Sequence, residues 1–92
     1  MSKFEKNHLL SGQSILITGA ARRLGRSMAL AVAGSGANVL IHFNNSSKDA
    51  EDLANQIQDS GQQAWLLQAD ISNEQGIKLL CEAALAITPV SA

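Results

Sequence analysis

A single cysteine, Cys81, rules out an intrachain disulfide and any cysteine-rich zinc site, and it fits a reducing compartment. The two histidines, His8 and His42, stand apart and offer no metal-ligand spacing. No apolar run is long enough for a signal-peptide core or a membrane span, and the opening "MSKFEKNHLLSGQ" scatters its charges among polar residues, so a cytoplasmic location is the expectation. A formal charge of −1 gives no general attraction to nucleic acid or to an anionic membrane. Tyrosine is absent altogether, and no Asp or Glu occurs between Glu5 and Asp49.

What is present suits one small domain: 92 residues, 46% of them hydrophobic and 16% charged, leave little room for a second core. The apolar pattern switches three times between short runs and helical spacing, which predicts strand, helix, strand, helix, strand, helix. The first strand is expected at residues 14–18, the second at 38–43 ("NVLIHF") and the third, less sharply marked, at 63–69 ("QAWLLQA"). The first two are apolar on successive residues, as in parallel strands covered by helices on both faces.

Helix one is expected over residues 24–35, with Leu24, Met28, Ala31 and Val32 inward and Gly36 as its C-terminal cap. For helix two, Ser46 or Ser47 is the cap, Asp49, Glu51 and Asp52 occupy the first turns, Leu53, Ala54 and Ile57 form the stripe, and Gly61 ends it. Helix three opens with a capping-box pattern at Ser72-Asn73-Glu74-Gln75, carries Ile77, Leu80, Cys81, Ala84 and Leu85 on one side, and precedes Pro89. Short connections between these elements imply right-handed crossovers and strand order 3-2-1, half of a doubly wound α/β sheet, that is, a partial Rossmann fold. Residues 1–12 read as an N-terminal tail, 13–86 as the domain, and 87–92 as a tail that stops before a fourth strand.

Three of the seven basic residues, Arg22, Arg23 and Arg26, crowd the start of helix one, where the aligned peptide dipoles already place positive potential. Helices two and three obey the dipole rule, so this exception asks for an anion. The turn Thr18-Gly19-Ala20-Ala21-Arg22-Arg23-Leu24-Gly25 can supply its site: glycine admits close backbone approach, and a helix start offers free N–H groups to a diphosphate. Its glycine spacing is longer than that of G-x-G-x-x-G. An acid ~20 residues further on would hold the ribose 2′-hydroxyl of NAD. Here His42-Phe43-Asn44-Asn45-Ser46-Ser47 stands instead, with amide and hydroxyl groups that can bond a 2′-phosphate beside neutralising arginines. NADP is therefore favoured over NAD. The bland alternatives are a strand-to-helix turn with solvated arginines and a polar loop with a helix cap. His42, Trp65 and Cys81 are expected to fill core positions.

Residues 13–76 resemble the N-terminal cofactor half of the short-chain dehydrogenases/reductases, whose glycine motif is T-G-x-x-x-G-x-G. "ITGAARRLGRSMA" with "VLIHFNNSS" is most similar to pteridine reductases and related NADPH-dependent members, in which a basic residue can replace the middle glycine; Arg23 holds that place. The resemblance implies that Gly19, Leu24 and Gly25 lie along the diphosphate and nicotinamide ribose, and that Arg22, Arg23, Asn44, Asn45 and Ser46 surround the 2′-phosphate. Phe43 stands where NAD-preferring relatives carry an acid. Asp70 would accept a hydrogen bond from the adenine amino group, with the Ile71 backbone beside it.

The family's chemistry uses a Tyr-x-x-x-Lys pair, a serine and an asparagine further along the chain. With no tyrosine, these 92 residues are expected to form the NADP(H)-binding portion of an oxidoreductase without its catalytic part. A non-catalytic nucleotide-binding or interaction module is the alternative. Strand one, left at the sheet edge by order 3-2-1, is expected to favour self-association.

Overall fold

The computed structural model describes residues 9–20, 23–88 and 90. Within them the order is β1 (Ser14–Ile17), α1 (Arg23–Gly34), β2 (Asn38–Phe43), α2 (Ser47–Asp59), β3 (Ala64–Gln68) and α3 (Glu74–Ile87), as the alternation of periods predicts. β2 is central, paired in parallel with β1 from Ser14↔Asn38 to Ile17↔Ile41 and with β3 from Val39↔Ala64 to Phe43↔Gln68. This is the half-sheet of strand order 3-2-1.

Side-chain alternation along the strands builds two cores. Ile17, Val39, Ile41 and Ala64 pack with Ala29, Ala33, Leu53, Ala54 and Ile57, so α1 and α2 cover one face. Leu40 and Leu67 pack with Leu80 and Ala84, so α3 covers the other, with Leu16 and Trp65 partly buried against them. Because β2 is enclosed on both faces, its run "VLI" is fully buried at all three positions.

Both of the first two helices end in the same left-handed glycine cap. Gly36 has φ +96°, with its amide donating to Ala33 O at 3.0 Å and that of Ala37 to Val32 O at 3.1 Å. Gly61 has φ +100°, with Gly61 N–H donating to Gln58 O at 3.0 Å and Gln62 N–H to Ile57 O at 3.3 Å. These paired bonds satisfy the last helical carbonyls and turn the chain back toward the next strand.

Several local expectations need correction. On α1 the buried residues are Ala29 and Ala33, with Leu30 and Val32 partly buried, while Leu24 and Met28 are exposed. Small residues let this helix lie close against the sheet, and the larger apolar side chains before them face outward. On α3 only Leu80 and Ala84 are buried, against Leu40 and Leu67; Ile77, Cys81 and Leu85 are exposed. Cys81 is thus not a core residue. The cap of α3 is Asn73, whose Oδ1 accepts the Gly76 amide at 2.8 Å, one residue later than the Ser72 pattern implies. Ser46 precedes α2 but makes no side-chain cap bond. Pro89 lies outside the described residues.

Candidate functional site

Parallel strands bring their C-terminal ends to one edge, and hydrogen bonds lace the three following loops together there. The Ala20 amide donates to His42 O at 3.1 Å, and the Ala69 amide to Phe43 O at 3.1 Å. Gln68 Nε2 donates to Asn44 O at 3.1 Å and to Asn44 Oδ1 at 3.3 Å. The glycine turn, the polar loop at residues 44–46 and the segment at residues 70–71 therefore share one rim, as the ligand crevice of a doubly wound sheet requires.

Gly19 has φ +63°, a backbone conformation natural to glycine, and a Cβ placed on it would meet nothing within 4 Å. Gly25 is the opposite case: a Cβ there would collide with the Gly19 carbonyl. The first turn of α1 is thus seated directly on the glycine turn, and only a residue without a side chain permits it. Arg23 has φ +42° and is exposed. It stands in the family's middle-glycine place and adopts the left-handed backbone that a glycine would take without strain. Leu24 is 72% exposed beside it. Arg22 lies outside the described residues. Arg26 is committed elsewhere, its Nη2 donating to Gln56 Oε1 on α2 at 2.6 Å.

Asn44 and Asn45 are exposed, Ser46 is half-buried, and Phe43 packs partly against the core beneath α1 and α2. Asp70 is exposed on the same rim, and Oδ1 accepts the Ser72 amide at 2.9 Å. Hydrogen bonding from the Ser72 side chain, then from its backbone N–H, holds the Asp70 carboxyl below the ordinary carboxylate range, against a small opposing effect of burial. Ile71 turns its side chain toward the α3-side core, leaving its backbone at the rim. A shallow cleft of about 490 Å³ opens next to Asp70, lined also by Gln68, Asn73, Gly76 and Leu79.

Sequence reasoning missed two features of this edge. His42 is buried, as expected, but its ring joins two loops: the Gly19 amide donates to Nδ1 at 3.1 Å, and Nε2 lies 2.8 Å from Ala69 O. The Gly19 and Ala20 amides are consequently occupied by residue 42, one by its ring and one by its carbonyl. The legible signal was a polar ring in a strand buried on both faces, since such a group must find partners. The other feature is the Gln68 bridge to Asn44, for which residue pattern gives no cue. Among the described residues no three His, Cys, Asp or Glu side chains gather to hold a metal, and no helix is long and apolar enough to cross a membrane.

Residues 13–89 match the profile of the short chain dehydrogenase family. The chain belongs to that family. Among curated relatives, it is 38% identical over 77 residues to versicolorin reductase 1 of Aspergillus parasiticus, covering 83% of this chain and 29% of the relative. It is 36% identical over 78 residues to trihydroxynaphthalene reductase PfmaI of Pestalotiopsis fici, covering 85% and 28%. A solved structure of FolM alternative dihydrofolate reductase 1 from Brucella suis, in complex with NADP, superposes with a TM-score of 0.75 at 36% identity, covering 88% of this chain and 32% of that one. The citronellol catabolism dehydrogenase AtuB of Pseudomonas aeruginosa superposes with a TM-score of 0.81 at 29% identity, covering 89% and 34%. This chain therefore spans about three-tenths of the length of the relatives it matches, and their half-sheet is the part it shares.

Proposed function

We propose that this short chain dehydrogenase segment binds NADP(H) and is the cofactor-holding portion of an NADP-dependent oxidoreductase. The observation that carries the reading is the shared rim. An exposed cation, Arg23, leads the helix that follows β1, and no acid stands at the end of β2, where Phe43 precedes the polar residues 44–46. The residues fit the group: no described atom lies within 4 Å of a Cβ built on Gly19, Gly25 lets the helix start close on the turn, and a helix start offers its first amides to a diphosphate. Gly19, Leu24 and Gly25 would flank the diphosphate. Arg22, Arg23, Asn44, Asn45 and Ser46 would hold the 2′-phosphate, and Asp70 and Ile71 the adenine. The bound cofactor supplies or accepts hydride. The residues here bind and orient it; with no tyrosine among the 92, proton donation of the family's kind is not assigned to them. The NADP in the Brucella suis structure supports the choice of cofactor.

The test is a titration of NADP(H) and NAD(H) against the chain and against Arg22→Ala/Arg23→Ala. Preference for NADP(H) in the parent, falling by about tenfold or more in the variant, is expected from the loss of even one charge-assisted hydrogen bond. Equal losses for both cofactors would remove the 2′-phosphate assignment.

A second reading, an interaction module, is favoured by a different observation. Among the described residues β1 is paired on one side only, and α3 exposes Leu79, Leu85 and Ile77 at 53%, 64% and 48%. An unpaired parallel edge and exposed apolar residues each favour self-association, and sizing chromatography across a concentration series would reveal it. The exposed thiol of Cys81 supports a reducing compartment, and with it a cytoplasmic location.

A further inference from the structure

We infer that His42 is a positioning residue for the glycine turn, its imidazole anchoring the Gly19 amide at Nδ1 with the Ala69 carbonyl facing Nε2. The inference rests on the NADP(H) reading for its consequence, but its geometry stands apart from it. The ring is 3% exposed, and each nitrogen faces a backbone group of fixed chemistry. The Gly19 amide can only donate, so Nδ1, at 3.1 Å, must present its lone pair. The Ala69 carbonyl can only accept, so Nε2, at 2.8 Å, must carry the proton. Together the two partners select the neutral Nε2–H tautomer.

The consequence is directional. Gly19 sits at φ +63°, and among the described residues no atom lies within 4 Å of a Cβ built on it. Beneath it the amides of Gly19 and Ala20 are both fixed by residue 42. The Gly19 carbonyl is in turn the surface against which Gly25 lies. His42 thereby fixes the turn, the turn fixes the first helical residues, and those residues carry the free amides to which a diphosphate would bind. On the other side, Ala69 is held independently of the ring, its amide donating to the Phe43 carbonyl at 3.1 Å, so the adenine-side loop keeps its place when the Nε2 bond is lost.

Asparagine and glutamine separate the two bonds. Asn Oδ1 stands the same number of bonds from Cα as His Nδ1, and Gln Nε2 the same number as His Nε2. His42→Asn therefore keeps an acceptor for Gly19 and loses the donor to Ala69, whereas His42→Gln does the reverse. His42→Leu removes both. If His42 positions the glycine turn, His42→Asn should bind NADP(H) within about threefold of the parent, and His42→Gln and His42→Leu should bind about tenfold or more weakly, since the part-buried bond that anchors the Gly19 amide is lost in both. The losses should be equal for NAD(H), because the diphosphate is common to both cofactors. A purely structural role predicts equal losses for asparagine and glutamine, and that result would overturn the inference.

A measurement on the unaltered chain needs no variant to fold. A nitrogen–nitrogen scalar coupling across the hydrogen bond from Gly19 to His42 Nδ1 is expected in its NMR spectrum, and its absence would also overturn the inference. Should the parent bind neither dinucleotide, the cofactor reading fails on its own. The positioning role is then decided by hydrogen exchange: Gly19 amide protection kept in His42→Asn and lost in His42→Gln sustains it, and equal protection in the two ends it.

Discussion

Gly25 lies against the carbonyl of Gly19 so closely that a single added methyl group would overlap it. A side chain there must push the first turn of α1 away from the glycine turn. Gly25→Ala is expected to destabilise the fold by about 1–3 kcal/mol, the usual range for overpacking, and to reduce dinucleotide affinity further than stability alone explains. Denaturation and cofactor titration on the same sample check this. The contrast is Gly61→Ala, which meets no neighbour and pays only for its left-handed backbone at φ +100°; it should lower stability without altering affinity at a folded concentration.

Arg23 combines two opposing demands. Its backbone, at φ +42°, is in the region where a side chain costs about 1–2 kcal/mol, yet its guanidinium is the described cation of the rim. Arg23→Gly should therefore stabilise the fold by about 1 kcal/mol, after allowing for the entropy glycine gives back to the unfolded chain, and should weaken NADP(H) more than NAD(H). A gain in stability with unchanged cofactor preference would leave the arginine's conformation without a functional reason.

How far the sequence reveals this arrangement depends on which physical signal each feature leaves. The alternation of strands and helices and the glycine caps were legible, since periodicity and left-handed backbone both constrain residue type locally. The inward faces of α1 and α3 were not. Leu24, Met28, Ile77 and Leu85 fall on helical stripes, but which stripe is covered depends on the width of the sheet beneath, and that is set by the whole topology. At the rim, the glycines, Arg23 and the polar loop after β2 could be read, because each breaks a local rule. The hydrogen bonds from Gly19 to His42 and from Gln68 to Asn44 join residues distant in sequence, so no window of residues could show them.

Two leucines of α3 differ sharply in what covers them. Leu80 and Leu85 both sit on its apparent apolar stripe, but Leu80 is 3% exposed and Leu85 is 64% exposed. Leu80→Ala should cost about 2–5 kcal/mol, as for a buried leucine, whereas Leu85→Ala should stay within about 0.5 kcal/mol. Similar costs for both would mean that a further surface, such as a second copy of the chain, covers Leu85.

Acid acts on this rim through Asp70. Asp70 is held below the ordinary carboxylate range chiefly by the Ser72 side chain and secondarily by the Ser72 amide. A depressed folded-state value means that the unfolded chain binds the proton more readily, so the stabilisation is present above the unfolded value of about 3.9 and is lost as pH falls through the folded one. Asp70→Asn should therefore be less stable than the parent near neutrality, with the difference vanishing in strong acid. Because Asp70 is exposed, the effect should be modest and shrink with added salt. Ser72→Ala removes the larger contribution and keeps the amide, so a carboxyl titration followed by NMR should find Asp70 moved part of the way back toward its ordinary value. A value in Ser72→Ala unchanged from the parent would assign the shift to the backbone amide alone. The adenine assignment then predicts one more difference: near neutrality Asp70→Asn should weaken NADP(H) and NAD(H) equally, because the adenine is common to both, whereas Arg23→Gly separates them.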